Sequence, residues 1–132
     1  MPGAEERKAA VATADGANIY EHFAGAPSFL VIKVRDHQVV AREWRENPHG
    51  GCVAENDGHA RCLQVAVEVL PDVHAVICAG MGKNAYVALL SRNILPLPTQ
   101  ERDIKKAVKL YIKGRLKEDT DLVGQPGKGG CT

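Results

Sequence analysis

The first half of the chain consists of apolar runs separated by short polar connections, a pattern typical of strands. Residues 28–34, SFLVIKV, carry apolar side chains on both faces, as a central strand does. Residues 8–14 predict a shorter strand, and residues 39–46, where charges separate apolar side chains, predict an edge strand. Only residues 35–38 lie between the second and third strands, so the sequence predicts a hairpin there.

In the second half, strands alternate with helices. Asn56 and Asp57 are good N-caps for a helix that ends near Leu70, and its apolar residues recur at helical spacing. Short apolar runs predict strands at 74–79 and 94–98. The two prolines of the latter run place it at an edge of the sheet.

Two more helices complete the predicted fold. Residues 80–93 turn sharply from the fourth strand into the second helix, and Thr99 is a candidate N-cap for the third. The order β-β-β-α-β-α-β-α requires right-handed crossovers in its second half. We therefore predict an α/β fold with a mixed five-stranded sheet, order 3-2-1-4-5, and three helices on its faces, which resembles a ribonuclease H-like motif. Residues 1–117 form the predicted single domain, and residues 118–132 a disordered tail.

The charge balance excludes some classes of partner. The 132 residues include 17 basic and 16 acidic side chains, so neither a nucleic acid nor a membrane surface is an expected partner. No apolar window of about 18 residues and no secretory signal is present, so we expect a cytoplasmic protein. In a reducing compartment, cysteines serve metal binding, catalysis or burial rather than disulfides. The cysteines are Cys52, Cys62, Cys78 and Cys131.

The most specific spacing of ligand-type residues is a repeated His/Cys pair. The pattern H-x2-C-x6-H-x2-C consists of His49, Cys52, His59 and Cys62. Imidazole and thiolate are ligands of zinc, copper and iron–sulfur species, so these positions are a candidate metal site. A core cysteine on the helix and incidental residues in a loop would explain the same pattern without a metal.

Two loops are candidates for a second site. His22 follows the first strand, in a loop that Gly25 and Pro27 would shape, and the Gly-Met-Gly turn at 80–82 joins the fourth strand to a helix. In the predicted sheet both loops fall at the carboxyl ends of strands one and four, where open α/β sheets bind ligands, and a helix start favours an anion. A packed histidine and glycines needed for a tight turn are the alternative.

Conventional enzyme chemistry is disfavoured. A two-metal nuclease needs several converging carboxylates, but the fourth strand has none and only Asp15 and Glu21 lie near the end of the first. The chain has no nucleophile elbow, and no third residue would orient a Cys/His pair. We therefore expect a protein that is not an enzyme.

Four segments together resemble the dinitrogenase iron–molybdenum cofactor biosynthesis family, which includes NifX-like carriers and the C-terminal part of some NifB proteins. They are "VATADG", "YEHFAGAPSFLVIKVRD", "VVAREWRENP" and "VICAGMGKNAYVALLSRNILPLP". The likeness extends over residues 8–116. The residue after "EHF" departs from the family, which usually has glycine where this chain has Ala24.

The resemblance implies a carrier of an iron–molybdenum cluster, or of a related molybdenum, copper or iron–sulfur cluster, in cofactor assembly or delivery. Its partners would be the cargo and a donor or acceptor protein. The implied cofactor contacts are His22, Phe23, Gly80, Met81 and Gly82. Two alternatives stay open: a zinc module that uses the four residues of the His/Cys repeat, and a metal-free partner-binding domain.

Overall fold

Five strands and two complete helices lie within residues 6–23, 25–47 and 66–116, which the computed structural model describes. The strands are β1 (Glu6–Thr13), β2 (Ser28–Arg35), β3 (Gln38–Glu46), β4 (Ala75–Cys78) and β5 (Leu95–Pro98). The helices are α1 (Lys83–Ser91) and α2 (Ile104–Ile112). Residues 66–68 are also helical, as predicted for the end of the first helix, whose start lies outside the described residues.

The strands form one mixed sheet in the order β3-β2-β1-β4-β5, which confirms the predicted order. β1 pairs antiparallel with β2, and β2 antiparallel with β3, while β1–β4 and β4–β5 are parallel. α1 is the helical crossover that connects the parallel neighbours β4 and β5. β3 and β5 are the edge strands, so Pro96 and Pro98 lie where a missing N–H is tolerated.

Small side chains in β1 separate two apolar cores. Ala10 and Ala12 belong to one core, and Ala9 and Val11 belong to the other, because successive strand residues point to opposite faces. α2 covers the second core. The first core contains Phe23, so the loop after β1 is anchored by packing as well as by hydrogen bonds.

The third predicted helix starts later than expected. Its N-cap is Asp103 rather than Thr99, and the Oγ1 atom of Thr99 accepts a hydrogen bond from the Glu101 N–H at 3.2 Å. The carboxylate of Glu101 in turn accepts from the N–H groups of Arg102 and Asp103, both at 3.1 Å. Thr99 and Glu101 therefore stabilise a local turn before the helix, and this use of the threonine explains the wrong prediction.

Two other predictions concern membrane-spanning segments and the C-terminal tail. In the ranges given above, no helix has the length and apolar character needed to cross a membrane. The predicted tail, residues 118–132, lies outside the described residues.

Candidate functional site

A tight turn after β1 directs the chain back over the sheet. The carboxylate of Asp15 accepts hydrogen bonds from the N–H groups of Ala17 and Asn18, both at 2.9 Å. These two bonds, of which the one from the Asn18 N–H contributes more, lower the pKa of Asp15 to about 2. Beyond the turn, the Tyr20 N–H donates to the carbonyl of Ala12 at 2.7 Å, so residue 20 lies beside the end of β1.

Backbone hydrogen bonds join the His22 loop to the Gly-Met-Gly turn. The Ala79 N–H donates to the Tyr20 carbonyl at 3.3 Å, and the Phe23 N–H donates to the Gly80 carbonyl at 3.0 Å. The structure thus brings the two predicted segments together at the carboxyl ends of β1 and β4. Their role in binding stays a prediction.

Asn47 holds the other end of this loop, a role that no pattern in the sequence predicted. Its N–H donates to the Pro27 carbonyl at 2.9 Å, and its Nδ2 donates to the Ala26 carbonyl at 2.7 Å. Asn47 is 5% exposed. The available signal was the "NP" pair that ends the segment VVAREWRENP, one of the four segments that carry the family resemblance.

The candidate contact side chains differ in burial. Phe23 is fully buried, with its ring centroid 5.5 Å from that of Phe29, and Met81 is buried in the same core. His22 is 9% exposed, and its Nε2 atom is buried. Phe23 and Met81 therefore pack in the core, while Gly80 is partly exposed.

The start of α1 contributes favourable electrostatics for an anion. Gly82 is the N-cap, Lys83 is the first helical residue, and the first turn has no acidic side chain. Gly82 has φ −72°, a value open to any residue, and the described glycines with positive φ are Gly16 and Gly114. The turn therefore does not need glycine for a left-handed backbone, and what its glycines provide is a backbone without side chains.

Cys78 ends β4 directly before this turn and is fully buried. Burial raises the pKa of its thiol to about 12, opposed by a hydrogen bond with the Gly80 backbone. The thiol therefore packs in the core as a small apolar side chain.

The metal-site hypothesis falls outside the described part of the chain. His49, Cys52, His59 and Cys62 are not among the described residues, so that site stays a prediction. Within the described ranges, no three His, Cys, Asp or Glu residues are grouped as metal ligands would be.

Solved structures share this fold. The apo form of the orange protein from Desulfovibrio gigas is 18% identical, with a TM-score of 0.67 over 88% of this chain and 95% of that chain. A candidate dinitrogenase from Methanocaldococcus jannaschii is 22% identical, with a TM-score of 0.63 over 88% of this chain and 97% of that one. A candidate NifB protein from Thermotoga is 21% identical, with a TM-score of 0.62 over 85% and 92%.

Sequence comparison identifies the family. Comparison with curated proteins found no match. The family model described as dinitrogenase iron-molybdenum cofactor matches residues 6–114, which include every described strand and helix. The chain therefore belongs to the dinitrogenase iron–molybdenum cofactor family.

Proposed function

We propose that this protein is a non-enzymatic carrier of an iron–molybdenum cluster, or of a related molybdenum, copper or iron–sulfur cluster, in cofactor assembly or delivery. The observation that carries the proposal is the pairing of the His22 loop with the Gly80–Gly82 turn, through the Phe23 N–H and the Gly80 carbonyl. Membership of the family over residues 6–114 supports the class of cargo.

The chemistry of the site suits cargo that is held and then released. Sulfido clusters are anionic, and the start of α1 offers backbone N–H groups and the positive end of a helix dipole. His22 offers an imidazole in the loop that pairs with this turn, while the Cys78 thiol is fully buried. Few covalent ligands would permit transfer to another protein.

The proposed carrier function also concerns catalysis, partner proteins and the type of sheet. The protein acts without catalysis, which agrees with the absence of carboxylates from β4 (AVIC). A donor and an acceptor protein of cofactor assembly exchange the cluster with it in the cytoplasm. Its sheet corresponds to a ribonuclease H-like motif that serves binding rather than hydrolysis.

Anaerobic titration with tetrathiomolybdate and Cu(I), followed by visible absorption and by metal analysis after gel filtration, tests the proposal. We expect wild-type protein to retain a coloured cluster and His22→Ala to retain at least about fivefold less, since an imidazole contact is lost. His74→Asn is the matched control, because His74 precedes β4 at the opposite end of that strand.

Circular dichroism must show that the variants are folded, and His22→Gln provides a second substitution if His22→Ala is not. Equal retention by wild type and a folded His22 variant would contradict the assignment of the site. No retention by wild type would contradict the carrier function itself.

A further inference from the structure

A groove lies between α2 and the β2–β3 hairpin, lined by none of the residues of the His22 site. Its volume is about 1080 Å³. The floor is apolar and combines side chains from three elements: Leu30, Ile32, Trp44, Ile104, Val108 and Ile112. An open apolar floor of this kind favours association with another apolar surface.

Positive charges line both sides of this groove. Lys105, Lys109 and Lys113 are spaced four residues apart, so they follow one side of α2 over about 12 Å. Arg42 of β3 lies on the opposite wall, and all four side chains belong to exposed residues. No carboxylate is among the described lining residues, so the groove is electrostatically suited to an anion.

The arrangement of the charges indicates the shape of the ligand. A small anion would reach one or two of these cations and would leave the apolar floor uncovered. A continuous row of lysines beside apolar residues at the same four-residue spacing matches an extended ligand with both acidic and apolar positions. We propose that this groove binds an acidic amphipathic segment of a partner protein, with its apolar side chains on the floor and its carboxylates against the lysines.

Trp44 is the expected anchor. Its side chain is 44% exposed, but its position is constrained, because its Nε1 donates to the Glu46 carboxylate at 2.9 Å. The ring also lies over Gly16, where an added Cβ would be 3.3 Å from Cζ3. A large aromatic side chain that is held in place yet accessible is typical of interface hot spots.

Trp44 also permits a direct test, because it is the single tryptophan of the chain. The probe is a 14-residue peptide with leucines at helical spacing and glutamates elsewhere, titrated into the full chain. We expect a blue shift of Trp44 emission and saturable binding that weakens as salt is added. A peptide with lysines in place of the glutamates should bind at least about tenfold more weakly.

Two charge reversals on α2 form a matched pair. Lys109→Glu changes a lining residue, whereas Lys106→Glu makes the same change on the same helix outside the groove lining. We expect Lys109→Glu to weaken peptide binding at least about fivefold, and Lys106→Glu to stay within about twofold of wild type.

Two results of the peptide titration would overturn the proposal: the absence of any emission shift, and an equal loss of peptide affinity in the two variants. Trp44 emission that is already blue-shifted and does not respond to the peptide would also overturn it, because a second copy or another segment of this chain would then occupy the groove. Tetrathiomolybdate binding that depends on Lys109 would assign the groove to an inorganic anion instead. The peptide assay does not involve His22, so its failure would leave the carrier function standing.

Discussion

At the scale of single residues, the His22 loop depends on one buried amide. Asn47 contacts the loop through both its backbone and its side chain, and the side chain satisfies the Ala26 carbonyl. A buried carbonyl without its donor costs more than the net value of an ordinary hydrogen bond. The geometry of a site built on a loop is therefore set partly by a residue that touches no ligand.

Asn47→Ala should lower the free energy of unfolding by about 1–3 kcal/mol, because it leaves the Ala26 carbonyl without the Nδ2 donor. Urea denaturation measures the change. Asn18→Ala is the control, since Asn18 is exposed and should lose about 0.5 kcal/mol or less. A cost for Asn47→Ala no larger than that of the control would contradict this account of the loop.

At the scale of secondary-structure elements, the β2–β3 hairpin carries local backbone strain. Arg35 pairs with Gln38, so the turn consists of Asp36 and His37, whose φ values are 52° and 63°. Two positive φ values in a two-residue turn suit Asn-Gly or Asp-Gly, and a histidine in the second place is unfavourable. The hairpin forms because strand pairing outweighs this strain.

His37→Gly should therefore stabilise the protein by about 0.5 kcal/mol, as relief of about 1 kcal/mol of strain exceeds the entropy lost by glycine. Thermal and urea unfolding would both report the gain. His74→Gly offers the comparison, because His74 is exposed but not among the positive-φ residues, and there the same substitution should destabilise. A lower stability of both variants than of the wild type would show that the turn is not strained.

At the scale of the whole molecule, one ion cluster connects three distant segments. Asp72 accepts two hydrogen bonds from the Arg45 guanidinium, at 2.7 and 2.8 Å, and one from Lys8 Nζ at 2.7 Å. Arg45 also donates to the Val69 carbonyl at 2.9 Å. β1, β3 and the segment before β4 are thereby joined on one face of the sheet.

Acid should weaken this connection. Hydrogen bonds from Arg45 and then Lys8 hold the pKa of Asp72 well below its ordinary value of 3.8. Its contribution to stability is therefore complete above about pH 4 and is lost as the pH falls through the lowered pKa. Asp72→Asn should lower the free energy of unfolding by about 1–2 kcal/mol at pH 6 and by less at pH 2.5. This value already allows for the partial exposure of Asp72 to solvent.

Urea unfolding between pH 6 and pH 2.5 would measure this dependence. Asp36→Asn, in the exposed hairpin turn, is the control for the removal of a carboxylate outside this ion cluster. A difference between Asp72→Asn and wild type that is constant with pH would contradict the role of the carboxylate.

Strand prediction succeeded where the pattern was local. The apolar runs gave the strands and the short connection gave the hairpin, and together with the order of elements they led to the arrangement β3-β2-β1-β4-β5. The start of α2 was predicted too early, because a threonine that satisfies a preceding turn has the same local sequence signal as an N-cap. Sequence spacing does not distinguish these two uses of one hydroxyl group.

The sequence alone determined the sheet and the meeting of the His22 loop with the Gly-Met-Gly turn, since hydrophobic periodicity indicates the elements and crossover handedness limits how they can be joined. The family resemblance came from short motifs in the same sequence. The tertiary structure alone decided which groups became neighbours across long separations. It paired Arg45 with Asp72, placed Asn47 against Ala26, buried Cys78 in the core, and set the lysines of α2 and Trp44 around one groove. These contacts depend on how the elements pack against one another, which no single segment encodes.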